Sequence, residues 1–323
     1  VVVVTSAMSG VTNELIKKAR KISKNFPNSE RDVLLSTGEQ MASALIAGKL
    51  CDLGFNSRSW MSWQIPIITR GNYSSARIIK IGTDQLKKYL KKGGTPIITG
   101  FQGLNKESRL TTLERGGSDA SAIMLAKFFK AKKCIIYTDV DGVYTTDPNF
   151  LKKAKKIKVL SYEEMLEMSS LGAKVMQPAS IQDAKLNKVK IDVKSSFTNK
   201  TGTQIIGRKK IKDTNIIRGV SFTKNDAKVS LLGVKDKPGV AAAIFEPLYK
   251  NSINVDMVVQ NISSDGKETD LTFTIKSDDL LKTKRLISKN RKIKFKKLIV
   301  DKNVAKVSIV GVGMITTPGV TYR

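Results

Sequence analysis

The segment from Thr111 to Asp119 has the residue types of a site that binds an anionic ligand. It leads from a polar loop through two glycines into an apolar periodic helix, for which Ser118 is the predicted N-cap. Paired glycines let the backbone approach a ligand closely, and the first turn of a helix presents unpaired N–H groups that favour anions. Arg115 adds a planar guanidinium that suits a carboxylate or a phosphate. These residues predict a binding site for a charged substrate.

A second polar loop, Tyr137–Pro148, follows an apolar strand predicted at Cys134–Tyr137. Strand, glycine loop, helix, strand and polar loop together form the layout of an α/β nucleotide site. The chain has neither the P-loop sequence nor a G-x-G-x-x-G segment after a strand, which argues against P-loop and dinucleotide-binding enzymes. Phosphoryl transfer needs two reactants held in line and cations at the transferring group. Arg115 and the amides of the glycine loop can supply part of that.

The composition excludes several kinds of chemistry. The 323 residues contain no histidine, which removes Ser-His-Asp triads, histidine general bases and most zinc sites. The net charge of +29 raises nucleic acid as a partner, but the lysines are spread over every predicted helix and loop, and only 6% of residues are aromatic. A solvated lysine surface is therefore favoured. No apolar run is long enough for a membrane span and no signal pattern is visible, so Cys51 and Cys134 are interpreted as buried thiols of a cytoplasmic protein.

Residues 1 to about 207 alternate between predicted strands and helices, which favours a mostly parallel sheet with helices on both faces. Ser161 and Glu164 predict a capping box, and Pro178 is expected at the first position of a helix. The predicted helices are 13–24, 38–53, 83 or 84 to 92, the helix after Gly117, 162–170 and 178–187, and the predicted strands are 1–5, 58–62, 96–99, 134–137 and a closing strand at 190–194.

An internal repeat follows the basic segment Lys209–Asp213, which is the predicted linker. Ala227–Val234 is matched by Ala305–Val312, at an offset of 78 residues. The complete copy predicts strand, helix, strand, strand, helix and strand, at 227–233, 239–251, 255–261, 269–275, 279–290 and 297–300. That order is typical of a ferredoxin-like domain.

Together with Leu35–Glu39 and Thr5–Thr12, these motifs resemble those of the aspartate kinases, in the amino-acid kinase family. The repeat resembles ACT domains, which sense free amino acids in many metabolic enzymes. The resemblance implies an α/β fold with a mostly parallel sheet sandwiched by helices, followed by a ferredoxin-like βαββαβ ACT regulatory region. It implies a catalytic domain at 1–207, a linker at 208–215, a first ACT domain at 216–300 and the start of a second at 301–323. The chain is expected to be a fragment that lacks the family's N-terminal Lys-Phe-Gly-Gly segment and most of the second ACT domain.

The resemblance implies transfer of the γ-phosphate of ATP to the side-chain carboxylate of L-aspartate, the first step of lysine, threonine and methionine biosynthesis. ATP with Mg²⁺ is the expected co-substrate, with no tightly bound cofactor and no metal site in the protein. Lysine, threonine or both are expected as allosteric effectors, and the ACT domains are expected to form a homo-oligomer. The alternatives are an amino-acid kinase for another substrate, a catalytically inactive amino-acid sensor, and a nucleic-acid-binding protein.

The resemblance also assigns roles to individual residues. Arg115 and Asp119 are the predicted catalytic residues, because they match the arginine that grips the substrate carboxylate and the acid that organises the catalytic side chains. Glu39 matches the carboxylate that contacts the amino group of aspartate. The remaining predicted substrate contacts are Ser6, Thr12, Gly116, Gly117 and Ser118. The predicted ATP contacts are Ser118, Thr138, Asp139, Tyr144, Thr145, Thr146, Asp147, Pro148, Asn149 and Lys174. The predicted effector contacts are Asp236, Gly239, Val240, Ala241, Asn254, Asp256, Gln260 and Asn261.

Simpler structural roles are open for several of these residues. Ser6 and Thr12 could cap the first helix, and Glu39 could stabilise the first turn of the second helix through its dipole. Lys174 could be one of many surface lysines. Two positions depart from the family pattern, because Glu114 stands where glycine is common and Asn149 stands where an arginine is usual.

Overall fold

The computed structural model describes residues 1–114, 116–173, 175–208, 211, 216–235, 237–251, 253–262, 268–290 and 293–311. The chain divides into two compact units. The first contains Val1–Val220 and the segment from Ile309 onwards, and the second contains Ser221–Ser308. None of the described helices is long and apolar enough to cross a lipid bilayer.

The first unit alternates strands and helices along the chain. Its elements are β1 (Val3–Thr5), α1 (Val11–Ile22), α2 (Asn28–Asp52), β2 (Ser57–Trp60), β3 (Ile67–Arg70), β4 (Arg77–Ile81), α3 (Asp84–Lys91), β5 (Thr95–Thr99), β6 (Gln102–Leu104), β7 (Leu110–Thr112), α4 (Gly117–Phe128), β8 (Cys134–Thr138), β9 (Val159–Ser161), α5 (Tyr162–Ser170), α6 (Pro178–Asn187), β10 (Ile191–Ser195) and β11 (Thr203–Ile206).

These strands form three sheets in which parallel pairing is prominent. β1 and β2 both run parallel to the central strand β5. A second sheet has the order β8-β10-β11-β9, with one antiparallel pair between β10 and β11. A third has the order β4-β3-β6-β7. The parallel β1-β5-β2 sheet brings the carboxyl ends of its strands to one edge, which is where open α/β sheets bind ligands.

Apolar side chains from the helices cover these sheets. Met165 and Ile181, from α5 and α6, pack on Ile136 and Val193 in the core of the second sheet. Trp60, Ile98 and Leu86 belong to a second cluster around β2, β5 and α3. Full burial of one such side chain contributes about 1.5–3 kcal/mol, so these clusters hold the helices against the strands.

The second unit has the order predicted for a ferredoxin-like domain. Its elements are β12 (Gly219–Lys235, of which the first two residues belong to the first unit), α7 (Val240–Lys250), β13 (Val255–Ile262), β14 (Glu268–Lys276), α8 (Leu280–Lys289) and β15 (Lys297–Val310, of which the last two residues belong to the first unit). The strands lie in the order β13-β14-β12-β15, with the first and third strands of the motif at the centre. Ile244, Leu248 and Ile287 on the helices pack on Val229 and Phe273 of the sheet. The βαββαβ prediction is confirmed.

Local sequence signals are confirmed where they are strongest. The N–H of Glu164 donates to Ser161 Oγ at 3.1 Å, and the N–H of Ser161 donates to Glu164 Oε2 at 2.8 Å, which completes the capping box of α5. Pro178 occupies the first turn of α6. Most of the predicted linker, and the repeat beyond Gly311, lie outside the described residues.

Three expectations about the elements are wrong. β10 does not close the first unit, because β11 follows it and pairs with it in antiparallel register. Cys51 is exposed on α2, and only Cys134 is buried. The second helix begins at Asn28, ten residues before the predicted start. Gly38 lies inside that helix. The sequence places it at the helix start because glycine inside a helix usually lowers stability by about 1 kcal/mol relative to alanine.

Candidate active site

The carboxyl ends of β1 and β5 meet the beginning of α4 at Gly100. The N–H of Gly100 donates to the carbonyl oxygen of Thr5 at 3.0 Å. A methyl group at Gly100 would lie 2.7 Å from that oxygen and 3.0 Å from the Cα of Ser118. The lack of a side chain at Gly100 therefore lets three segments come together: the loop of Ser6, the end of β5 and the first turn of α4.

Helix α2 approaches the same loop through Gly38. A methyl group at Gly38 would lie 2.9 Å from the Cβ of Ala7, so only glycine allows the loop after β1 to pack this closely on the helix. Glu39, the next residue, is buried in the middle of α2. The interpretation of Glu39 as a first-turn residue is wrong, because the helix begins eleven residues earlier, at Asn28.

The carboxylate of Glu39 has one satisfied and one unsatisfied oxygen. Oε1 accepts from the N–H of Ala7 at 3.1 Å. Oε2 is buried and has no hydrogen-bond partner among the residues that the structure describes. Burial raises the pKa of Glu39 to about 7, against the smaller lowering effect of the Ala7 N–H. A buried carboxylate with one free oxygen is suited to bind an ammonium group of a substrate.

The N-cap of α4 lies two residues earlier than predicted. Gly116 is the N-cap, with a φ of 78°, and Gly117 is the first helical residue. Ser118 as N-cap is therefore wrong, because the left-handed backbone of Gly116 turns the chain into the helix before Ser118 is reached. A methyl group at Gly117 would lie 2.6 Å from the Phe101 ring and 2.7 Å from the Cβ of Leu113.

The first turn of α4 also contains Asp119, which is half-buried. Burial raises the pKa of Asp119 to about 6. Ser180, in the first turn of α6, donates from its hydroxyl to the carbonyl oxygen of Gly116 at 3.1 Å. The loop is thus fixed to a second helix at the point where α4 begins.

The two other predicted substrate residues, Ser6 and Thr12, lie near either end of the segment that joins β1 to α1. Ser6 is exposed in the loop after β1, and Thr12 is half-buried in the first turn of α1. The alternative that they cap α1 is wrong, because its N-cap is Gly10, with a φ of 83°, and no side-chain cap bond is made in the described region. Three other predicted site residues, Arg115, Lys174 and Asp236, lie outside the described residues.

The predicted nucleotide loop begins where β8 ends. Thr138 donates from Oγ1 to Asp139 Oδ1 at 3.1 Å, and Asp139 itself is exposed. Tyr144 donates from its hydroxyl to Asp141 Oδ1 at 2.7 Å, and this hydrogen bond raises the pKa of Tyr144. Lys156 Nζ lies 3.2 Å from the other oxygen of Asp141. The second half of the predicted nucleotide set is Thr145, Thr146, Asp147, Pro148 and Asn149.

Backbone hydrogen bonds shape that second half. The N–H of Thr145 donates to the carbonyl oxygen of Lys155 at 2.9 Å, and the N–H of Lys155 donates to Thr145 Oγ1 at 3.1 Å. The N–H of Asn149 donates to Asp147 Oδ1 at 2.9 Å, which forms an Asx-type turn. Asp147 and Asn149 are exposed. The loop thus presents its polar groups on an ordered backbone.

A pocket of about 250 Å³ that the sequence did not predict adjoins this loop. The N–H of Ser196 donates to the carbonyl oxygen of Thr138 at 2.8 Å, which places the segment after β10 beside the end of β8. The signal in the sequence is Lys-Ser-Ser-Phe, which begins at Lys194 in β10 and continues past the end of that strand. The lining residues are Tyr137, Lys194, Ser195, Ser196, Phe197, Thr198, Asn199 and Lys200.

The predicted effector residues in the described part of the second unit occupy two places. Gly239 is the N-cap of α7, with a φ of 88°, and is followed by Val240 and by exposed Ala241. The other four, Asn254, Asp256, Gln260 and Asn261, are exposed on or just before β13, and Asp256 forms an ion pair with Lys306. No group of three or more Cys, Asp and Glu side chains that could hold a metal ion occurs among the described residues.

Known protein families match both parts of the chain. The amino acid kinase family matches residues 1–195, and an ACT domain matches residues 229–290. The fold and the site therefore define an amino acid kinase that carries an ACT domain.

Two relatives of known activity show which kind of amino acid kinase this chain resembles. The aspartokinase of Bacillus sp. (strain MGA3) is 41% identical over 324 residues, which cover 100% of this chain and 79% of the relative. The aspartokinase of Helicobacter pylori (strain J99) is 44% identical over 324 residues, which cover 99% of this chain and 80% of the relative. The chain belongs to the aspartokinases of the amino acid kinase family. These relatives do not favour an inactive sensor or a kinase for another substrate.

Solved structures confirm the fold class. Escherichia coli aspartokinase III in complex with aspartate and ADP, in the R-state, superposes with a TM-score of 0.80 at 24% identity, covering 99% of this chain and 83% of that chain. The same enzyme in complex with lysine and aspartate, in the T-state, gives a TM-score of 0.78 at 25% identity, with 96% and 80% covered.

Proposed function

We propose that this protein transfers the γ-phosphate of ATP to the side-chain carboxylate of L-aspartate and forms 4-phospho-L-aspartate. One observation carries the proposal: Glu39 has a buried, unsatisfied oxygen within the cluster formed by the loop after β1, Gly100 and the start of α4. A ligand with an ammonium group and carboxylates matches this cluster, because it offers a carboxylate and the N-terminus of a helix. The complexes of E. coli aspartokinase III with aspartate and ADP support the same substrates here.

Each part of the cluster has a role in this reaction. Glu39 binds the amino group of aspartate, and the amides of Gly116 and Gly117 face its carboxylate or the transferring phosphoryl group. Arg115 adds the positive charge that both reactants require. A side-chain carboxylate oxygen then attacks the γ-phosphorus as the bond to the β-phosphate oxygen breaks, and ADP leaves. The protein contributes mainly position and electrostatic stabilisation, since phosphoryl transfer needs little covalent help.

ATP is proposed to enter as its Mg²⁺ complex, in which the cation would neutralise part of the phosphate charge. The ordered loop from Thr138 to Asn149 is proposed to hold the nucleotide, together with Ser118 and Lys174. Asp119, at the beginning of α4, is proposed to orient the cationic side chains around the phosphates. Its raised pKa of about 6 still leaves it ionised at neutral pH.

The second unit is proposed to be regulatory. Lysine, with or without threonine, is proposed to bind near Gly239 and the β13 residues Gln260 and Asn261. Support comes from the ACT match and from the lysine complex of E. coli aspartokinase III. We also propose the domain limits 1–207, 216–300 and 301–323, a homo-oligomer formed through ACT domains, and a cytoplasmic location, in keeping with two free thiols.

A hydroxamate assay tests the proposed reaction. Purified full-length protein is incubated with ATP, Mg²⁺ and hydroxylamine, with aspartate, glutamate or N-acetylglutamate as acceptor. We expect hydroxamate with aspartate, at least about 100-fold more than with glutamate, because the additional methylene displaces the reacting carboxylate by over 1 Å. Hydroxamate with glutamate or N-acetylglutamate alone would assign a different acceptor, and none with any acceptor from folded protein would refute the kinase proposal.

A further inference from the structure

Helix α2 buries a stripe of polar side chains along the face that contains Glu39. The side chains of Asp32, Ser36, Glu39 and Ser43 are at most 3% exposed and lie three or four positions apart, as residues on one helix face do. Buried polar groups are costly unless they are hydrogen-bonded, so such a stripe indicates specific partners. Asp32 is a buried carboxylate that the reaction described above does not use.

Asp32 accepts four hydrogen bonds from two separate segments. Its Oδ2 accepts from the backbone N–H groups of Ser74 at 2.8 Å and Thr112 at 2.7 Å. Its Oδ1 accepts from their hydroxyl groups at 2.6 Å and 2.9 Å. Ser74 lies in the turn between β3 and β4, and Thr112 ends β7. One side chain thus fastens a turn and a strand end to α2.

Thr112 lies four positions before Gly116, the first glycine of the loop that begins α4. Its carbonyl oxygen accepts from the N–H of Ala76 at 3.1 Å, and the next residue, Leu113, forms a parallel bridge with Ala76. Leu113 in turn packs against the backbone of Gly117, where a methyl group would lie 2.7 Å from its Cβ. A shift of Thr112 is therefore transmitted through Leu113 to the first turn of α4.

Asp32 and Glu39 are seven positions apart on one rigid helix, which is about two turns. Glu39 contacts the loop after β1, and Asp32 contacts the strand that leads into the glycine loop. We propose that Asp32 is a positioning residue for the acceptor site: it holds the glycine loop at a fixed distance from Glu39, so that the two ends of aspartate are bound together. This inference rests on the aspartate kinase activity proposed above.

The test compares Asp32→Ala, Asp32→Asn and the control Asp192→Ala in steady-state kinetics. Asparagine retains the geometry, because its oxygen accepts from the two N–H groups while its amide donates to the two hydroxyls, which can rotate to accept. We expect Asp32→Ala to raise KM for aspartate roughly 10- to 100-fold, with KM for ATP within about twofold, as a displacement of about 1 Å can do. Asp32→Asn should remain within about threefold of the wild type.

Asp192 is an informative control because it is also a buried carboxylate. It lies on β10, is 4% exposed and pairs with Lys133 Nζ at 2.6 Å. Asp192→Ala should lower the melting temperature and leave KM for aspartate unchanged. If Asp32→Ala behaves in the same way, with a lower melting temperature and an unaltered KM, Asp32 is only a folding anchor and the inference is wrong.

Two milder variants keep the test decisive if Asp32→Ala does not fold. Thr112→Val removes one hydroxyl donor and keeps the strand, and Thr112→Ser retains that donor. We expect Thr112→Val to raise KM for aspartate several-fold and Thr112→Ser to match the wild type, whereas equal KM values would overturn the inference. A wild-type protein that makes no aspartyl hydroxamate would instead refute the proposed activity itself, and the inference with it.

Discussion

At the scale of single residues, the arrangement around Glu39 explains why a buried carboxylate is tolerated. The motif Leu35–Glu39 identified Glu39 as a site residue, but its burial in the middle of a helix was not evident from the sequence. Gly38 and Glu39 act as a pair, since the missing side chain brings in the Ala7 N–H that one carboxylate oxygen needs. The other oxygen is buried without a hydrogen-bond partner among the described residues, and burial of the carboxyl group raises its pKa to about 7.

The raised pKa of Glu39 predicts a pH dependence of aspartate capture. Only the ionised carboxylate attracts an ammonium group, so kcat/KM for aspartate should rise about tenfold per pH unit below about 7 and level off above it. Glu39→Gln should lower kcat/KM by roughly 100-fold or more and flatten this limb. The measurement is kcat/KM between pH 5.5 and 9. If kcat/KM of Glu39→Gln still rises below pH 7 as it does in the wild type, the titrating group is not Glu39.

The same shift predicts that Glu39 reduces stability at alkaline pH. A carboxyl group whose folded-state pKa is raised from 4.5 to about 7 stabilises the fold fully below pH 4.5, and this contribution is lost as the pH rises through about 7. The loss amounts to roughly 3 kcal/mol at most. Glu39→Gln should therefore be more stable than the wild type at pH 8, and at pH 5 this difference should fall to roughly a quarter of that value, as measured by urea unfolding.

The control for this stability prediction lies on the same helix. Glu30 is exposed and pairs with Arg109, so Glu30→Gln should change the free energy of unfolding by less than about 1 kcal/mol at either pH. A Glu39→Gln variant that is less stable than the wild type at pH 8 would contradict the account of its burial.

At the scale of elements, the helix ends that are set by neighbouring residues were predictable from the sequence. The helix ends and close contacts that are set by residues far away in the chain were not. The capping box of α5 and the proline of α6 were predictable because their signals lie within one helical turn. The start of α2 was not, because Gly38 is explained only by Ala7, thirty-one positions earlier. Gly100 was missed for the same reason, since its neighbours are Thr5 and Ser118.

Gly100 therefore offers a test of how the elements meet. In Gly100→Ala, the new methyl group lies within 3.0 Å of backbone atoms of Thr5 and Ser118, which cannot rotate away. We expect a loss of about 1–3 kcal/mol of stability and a fall in kcat/KM for aspartate of over tenfold. The control is Gly48→Ala in α2, where no described atom lies within 4 Å, and this variant should be slightly stabilised. If kcat/KM for aspartate is the same in Gly100→Ala as in the wild type, the close approach of the three segments is not required for activity.

At the scale of the whole molecule, the sequence predicted the class of both units but only part of the site. Strand–helix alternation predicted the α/β unit, and the repeat predicted the βαββαβ unit, because both are set by the periodicity of apolar residues. Residue types and spacing also located the glycine loop and the nucleotide loop. Asp32 was not found, because its two partners are 42 and 80 positions away and only the folded chain brings them to it.

The ACT domain predicts feedback inhibition. A ligand of the second unit inhibits only if it prefers a conformation with a weaker active site, and such coupling is typically 1–3 kcal/mol, or about 5- to 150-fold. We expect lysine to inhibit the enzyme, and Gln260→Ala to relieve inhibition while kcat stays within about twofold, by initial rates at varied lysine. The control Asn303→Ala, an exposed amide on β15 of the same unit, should be inhibited like the wild type. Equal inhibition of both variants would place the effector site away from Gln260.

The carboxyl group of aspartate that receives the phosphoryl group can be identified by chemical reduction of the product. The product of a reaction with ATP, Mg²⁺ and L-aspartate can be reduced with borohydride, which converts an acyl phosphate to an alcohol and releases phosphate. The amino alcohols are then separated and quantified. Phosphorylation of the side chain predicts homoserine as the reduced product, formed only when both ATP and aspartate are present. 3-Amino-4-hydroxybutanoate in its place would mean that the α-carboxylate is the acceptor, and the absence of both alcohols would contradict the proposed reaction.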